Sequence, residues 1–217
     1  GEDRHEFEKW PSLIYKIENS QCTPILGPNL NEKLLGSQQE IAQRWAESYR
    51  YPMKPSERES LPQVAQFLTV NQYEEAPYNE LSNYLKATVR ERFKDKLPVQ
   101  SLPERAPLDQ LIDSIGAELR KLDPHDPFRI LAKLPLPVYI TTNLHNLLAS
   151  SLIEEKKDPQ VVLCPWNDEV ETIESIYDRE PGYQPTIERP LVFHLFGRLN
   201  VPESIVLTED NFFDFLI

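Results

Sequence analysis

Only two cysteines, Cys22 and Cys164, occur in 217 residues, too few for a disulfide framework or a four-cysteine zinc site. Both stand in apolar, strand-like surroundings where a cysteine serves as a small hydrophobe, so free structural thiols are expected. No apolar run approaches the roughly 20 residues that would cross a bilayer. The charged start Gly1-Glu2-Asp3-Arg4 has none of the features of a secretory signal, and a cytoplasmic protein with no membrane span is the expectation. Cations are the minority charge: 23 Lys and Arg stand against 35 Asp and Glu, a formal net charge of −12. Gripping phosphate backbones requires clustered cations, and their lack argues against direct nucleic-acid binding. Internal repeats and low-complexity segments are also missing.

Proline is plentiful, at 20 residues, but scattered singly at element edges, as in Leu61-Pro62, Leu97-Pro98, Leu102-Pro103 and Asp123-Pro124. That is punctuation between elements and not a linker. Length and apolar fraction suit one domain over residues 1–217 with a substantial core. An opening helix is expected from about Glu6 to Asn19, burying Phe7, Trp10, Ile14 and Ile17, with Pro11 tolerable in a first turn or a kink. Thr23 to Leu26 reads as a short strand entering the turn Gly27-Pro28-Asn29-Leu30-Asn31, where Gly27 and Asn29 tolerate unusual φ. Ser37 and Glu40 have capping-box spacing for a helix to Tyr49 with Ile41, Ala42 and Trp45 inward. Three more helices are expected over Leu61–Val70, Tyr78–Phe93 and Leu108–Leu122, the last with Leu108, Leu111, Ile112, Ile115, Leu119 and Leu122 on one face.

Val138-Tyr139-Ile140-Thr141-Thr142-Asn143 is the most telling stretch. Pro135 and Pro137 keep a helix from running into it, its first residues are β-branched or aromatic, and Leu144, Leu147, Leu148 and Leu152 then resume helical spacing. Strand, polar corner, helix is the layout that places ligands at the edge of a parallel sheet. Two hydroxyls and a carboxamide at such a corner can point at a ligand or simply cap the next helix. Val161–Cys164, Leu191–Gly197 and Ser204–Leu207 read as further strands, with an irregular charged stretch over 167–189. The alternation indicates α/β with a mostly parallel sheet and an all-helical insertion at about 37–134. Thr208 caps a last helix carrying Glu209 and Asp210, and the apolar ending through Ile217 without a C-cap leads us to expect a piece of a longer protein.

Gly27-Pro28-Asn29-Leu30-Asn31, the run from Tyr139 to Leu148, and His194-Leu195-Phe196-Gly197 through Leu207-Thr208-Glu209-Asp210, in that order and spacing, resemble the sirtuin-like domain of bacterial defence proteins. The resemblance implies a Rossmann-like NAD domain with a helical insertion, and an N-terminal effector of a multidomain protein that hydrolyses NAD in abortive antiphage responses. It further implies regulation by self-association or a partner domain, and final strands beyond Ile217 that are missing from this chain. Gly27 falls at the family's phosphate turn, with Asn29 replacing its second glycine. Asn143 matches the asparagine that holds the ribose and the attacking water, and His145 replaces the aspartate that receives the nicotinamide amide. Thr141, Thr142 and Gly197 complete the cofactor contacts. Phe196 occupies the place of the catalytic histidine, and His194, two residues earlier on the same strand face, is the candidate imidazole, the alternative being a core histidine bonded to a backbone carbonyl. NAD as substrate and no metal are implied.

Asp123-Pro124-His125-Asp126-Pro127 groups three metal-ligand types, but its prolines make it a turn between helices. Ser150-Ser151 lies within a helix without a glycine elbow, so no serine hydrolase is indicated. The four cysteines of a deacylating sirtuin's zinc module are lacking. Two functions remain open: an NAD hydrolase built on Asn143 and His194, and a degenerate module that binds NAD or ADP-ribose or mediates assembly, which the substitutions at Asn29, His145 and Phe196 motivate.

Overall fold

The computed structural model describes residues 3–96, 100–101 and 105–217. Four short strands, β1 (Ile25–Leu26), β2 (Val138–Thr141), β3 (Gln160–Leu163) and β4 (Leu191–His194), form one sheet. Their order is β1-β2-β4-β3 and every pairing is parallel. Because side chains alternate across a strand, the ladder sorts them cleanly. Tyr139 and Thr141 of β2 pair with Val192 and His194 of β4 and face the main core, while Val138, Leu191, Phe193 and Val162 face a smaller cluster with Ile176 and Tyr183. Parallel strands buried on both faces are the mark of an α/β fold.

Every element described between β1 and β2 is helical. Ser37 caps the helix Gln38–Ser48 with both bonds of the capping box, and Ile41, Ala42, Trp45 and Ala46 are buried. Leu61–Asn71, Ala76–Arg92 and Leu108–Leu122 are the three further expected helices. Leu122 is 59% exposed, so the apolar stripe of the last one leaves the core before the helix ends. A short helix, Pro127–Lys133, adds to these, with Asp126 accepting at 3.0 Å from the N–H groups of both Phe128 and Arg129. Asp123 in turn accepts from the His125 N–H at 2.8 Å. The two carboxylates therefore act as turn and cap groups, and among the described residues no cluster of three His, Cys, Asp or Glu could hold a metal.

Several expectations are corrected. The first helix, Asp3–Glu18, carries Pro11 inside it. Trp10 is 56% and Ile14 49% exposed, while Ile17 packs partly on the core; the side chain of Phe7 lies outside the described residues. Spacing reveals an apolar face but cannot supply the surface that covers it. The stretch 167–189 contains two single-turn helices, Asp168–Glu171 and Ile176–Arg179. Ser204–Leu207 is not a strand: a 3₁₀ turn, Pro202–Ser204, precedes extended chain whose Val206 N–H donates to the Phe196 carbonyl. Gly27 has φ −87° and no positive φ is found at Asn29, because Pro28 starts a 3₁₀ turn that either residue can enter with ordinary dihedrals. The Leu97-Pro98 and Leu102-Pro103 pairs lie outside the described residues. Cys22 and Cys164 are free. Among the described residues no helix is long and apolar enough to cross a membrane.

The helix after β2, Leu147–Glu154, is bound to the insertion by Arg120. Its guanidinium is 3% exposed and makes bidentate bonds of 2.9 and 2.7 Å to Glu154, which hold the Glu154 carboxyl below its usual range. One turn earlier, Gly116 lets the two helices approach: a Cβ there would run into the Leu147 side chain and stand 3.1 Å from the Arg120 guanidinium. Gly116→Ala gains helix propensity of about 1 kcal/mol and loses roughly 1–3 kcal/mol to overpacking. We expect a lowered melting temperature, and a rise would show that the interface has room.

Candidate active site at the C-terminal edge of the sheet

β2 ends at Thr141 and the chain turns through Thr142 and Asn143 before the helix begins at Leu147. Each corner residue is held separately. The Thr142 N–H and hydroxyl both donate to the Leu26 carbonyl at 3.0 Å, fastening the corner to β1. The Asn143 N–H donates to the Thr141 hydroxyl at 3.0 Å. The Asn143 carbonyl meets Nδ1 of His194 at 3.0 Å. His145 Nδ1 accepts the Leu147 N–H at 3.2 Å and so caps the helix.

That bond settles the tautomer of His145: Nδ1 is the acceptor, so the neutral ring carries its hydrogen on Nε2. Burial, with His194 nearby, pushes this imidazole down to about 3, and the Phe128 ring packs edge-on at 5.6 Å. His194 is 1% exposed. Burial and the Arg198 guanidinium push it down to about 4, against the hydrogen bonds to the Asn143 and Gly197 backbone that raise it. Both histidines are therefore neutral near pH 7.

Over the corner lies a cavity of about 320 Å³ between the sheet edge and the helical insertion. Gly27, Thr142, Asn143 and His145 line one side; Gly36, Gln38, Ile41, Leu61, Leu81 and Leu85 come from the insertion; Phe196, Leu199, Leu207 and Phe212 close the rest. No charged side chain lines it among the described residues, so it suits an uncharged, largely apolar group with a few polar atoms. Phe196 sits in an aromatic group, 5.3 Å from Phe212 and 5.4 Å from Phe215, edge to face.

The eight residues singled out in the sequence divide evenly. Gly27, Thr142, Asn143 and His145 meet at the cavity, whereas Asn29, Thr141, His194 and Gly197 are not among its lining. Asn29 is exposed, the Thr141 hydroxyl is engaged by Asn143, and His194 fits the reading of a core histidine on a backbone carbonyl. Gly197, at φ +88°, packs against the backbone of Ser204. Sequence reading missed the contribution of the insertion, since nothing in the local pattern of Gly36 or Leu81 tells which surface each will face. It also missed Arg198, whose guanidinium donates to Asn146 Oδ1 at 2.9 Å beside Asp109 and Asp113 and holds the turn after β4 against the corner.

Residues 137–217 match the family model for the SIR2-like domain. Over 102 residues, 47% of this chain, the sequence is 30% identical to the NAD(+) hydrolase ThsA of Enterococcus faecium. The match spans 18% of that relative's length. β2, the Thr-Thr-Asn corner, β3, β4 and the turn at Gly197 all fall within the matched family segment, and the four-stranded, all-parallel sheet is Rossmann-like. The similarity to the SIR2-like domain thus lies in residues 137–217, the part of the chain that carries the corner and three of the four strands.

Proposed function

We propose that the cavity receives the nicotinamide end of NAD and that the protein hydrolyses the bond between nicotinamide and ribose, serving as the effector part, over 1–217, of a longer bacterial antiphage defence protein. The observation that carries this reading is Asn143: 5% exposed, placed at the end of a central parallel strand and lining the cavity. An apolar lining packs against the flat nicotinamide ring and disfavours its pyridinium charge relative to the neutral nicotinamide that leaves, with the diphosphate at the mouth near Gly27 and Pro28.

The chemistry asks little of a general acid. As the bond from C1′ to the pyridinium nitrogen breaks, the electron pair goes to nitrogen and nicotinamide leaves as a neutral molecule. Water then adds to the oxocarbenium-like C1′ and releases its proton to solvent, leaving ADP-ribose. Asn143 would orient that water and the ribose; its amide can both donate and accept. The neutral His145 offers a donor where the family has a carboxylate, and a donor suits the carbonyl of the nicotinamide amide.

Nicotinamide release followed over time in the longest available parent chain tests the reading. Asn143→Ala is expected to lower the rate by about 100-fold or more, as loss of a preorganised polar group in an active site does. Unchanged NAD consumption in that variant would remove Asn143 from the chemistry. A second reading, a retired site that binds NAD without turnover, is favoured by Phe196 and its packing against Phe212 and Phe215. Thermal stabilisation by NAD with no nicotinamide release would select it.

A further inference from the structure

His194 and Thr141 are register partners on neighbouring parallel strands, and their side chains point to the same face of the sheet. Both reach the residue at the corner. The Thr141 hydroxyl accepts the Asn143 N–H at 3.0 Å, and His194 Nδ1 lies 3.0 Å from the Asn143 carbonyl. A carbonyl can only accept, so the contact requires a hydrogen on Nδ1. Thus the peptide groups before and after Asn143 are each tied to a buried side chain. Thr141 is 2% and His194 1% exposed, and neither lines the cavity. Such groups act through what they hold.

We infer that Thr141 and His194 are a positioning pair that fixes the backbone of Asn143 from both sides, and that His194 serves the site in this way and not as a base. The inference rests on the hydrolase reading for its kinetic consequence but not for its structural one. It explains how a polar corner, which would ordinarily be loose, holds the backbone of a cavity-lining residue in one conformation. It also accounts for a histidine kept neutral in a buried place where an apolar residue would otherwise fit.

The test uses the full chain and four variants. His194→Asn places an amide donor close to the position of Nδ1, whereas His194→Ala removes it; Thr141→Ser keeps the hydroxyl, whereas Thr141→Val removes it with little change of shape. Hydrogen exchange is read on the peptide covering residues 138–147, without NAD, beside kcat, KM and the pH–rate profile for nicotinamide release. In His194→Ala and Thr141→Val, exchange at the corner should quicken by about tenfold, the worth of one hydrogen bond. Exchange over β3 should stay as in the parent. kcat should fall by about tenfold or more with KM changed far less, since misplacement weakens the transition state more than binding. His194→Asn and Thr141→Ser should recover most of both, with the pH–rate profile unchanged.

Corner exchange unaffected by both Ala and Val variants would overturn the inference. So would a His194→Asn variant as inactive as His194→Ala with the acid limb of its profile lost, which would restore His194 as a base. A parent chain that releases no nicotinamide would sink the hydrolase reading alone, and the exchange data would still decide whether the pair holds Asn143. Should His194→Ala fail to fold, the isosteric Thr141→Val and Thr141→Ser comparison carries the same decision.

Discussion

Gly197→Ala is expected to destabilise the protein by about 3–5 kcal/mol, the range reached when backbone strain and overpacking combine. Two costs add. The residue sits at φ +88°, which L side chains adopt only with strain. A Cβ built there would also strike the Ser204 carbonyl carbon and oxygen, and would lie 2.6 Å from Ser204 Oγ. Ser204 cannot yield cheaply: it is fully buried, its hydroxyl donates to the Val201 carbonyl at 2.6 Å and accepts the Arg198 N–H at 2.9 Å. Its carbonyl accepts the Trp166 indole N–H at 2.8 Å. The neighbouring Arg198 would move as well, and with it the contact to Asn146. Gly27→Ala is the internal control, because φ there is −87° and nothing lies within 4 Å of the added methyl; its stability should stay within about 0.5 kcal/mol of the parent. Urea unfolding of the two variants decides the matter. Equal midpoints would mean that the turn after β4 is free to rearrange.

Stability is also expected to collapse on mild acidification. In the folded state burial holds His194 down to about 4 and His145 down to about 3, against an unfolded value near 6.5. The unfolded chain therefore binds more protons, and stability must rise with pH through this window. The contribution is fully present above pH 6.5 and is lost as pH falls toward 4. For His194 alone the shift corresponds to about 3 kcal/mol. Glu154, lowered by its hydrogen bonds to Arg120, acts in the same direction at lower pH. Asp109 and Asp113, raised by burial, act in the opposite direction, since they take up protons more readily when folded. The two histidines outweigh them because they are more deeply buried. Unfolding free energies measured at steps between pH 7.5 and 4.5 should drop steadily from pH 6.5 downward. A flat profile would mean that one or both imidazoles is reached by water or changes partner.

The fold was readable to the extent that it depends on local rules. Ser37 with Glu40 announced a capping box that forms. Pro135 and Pro137 with the β-branched run after them announced β2, and the stripe from Leu108 announced its helix with the observed bounds. Ser204–Leu207 failed because its apolar residues are buried as extended chain without a ladder partner, and residue type alone cannot separate those states. The first helix failed in burial rather than in type. At the site, the Thr-Thr-Asn corner was legible as a polar sheet edge, and Thr142 and Asn143 line a cavity there, while the division of labour within it was not.

Taken by itself, the sequence determined the fold class: the short strands, the helices between them and the polar corner ending in Asn143 are all written in periodicity, capping chemistry and order along the chain. Only the tertiary structure decided which of these side chains faces the cavity. His194 and Phe196 share a strand face by spacing, yet one is sealed against the Asn143 carbonyl and the other lines the cavity. The physical reason is that a side chain's role depends on what packs over it. That cover comes from residues 36–85 of the insertion and from the turn at Gly197, brought to the corner only when burial and parallel pairing close the core.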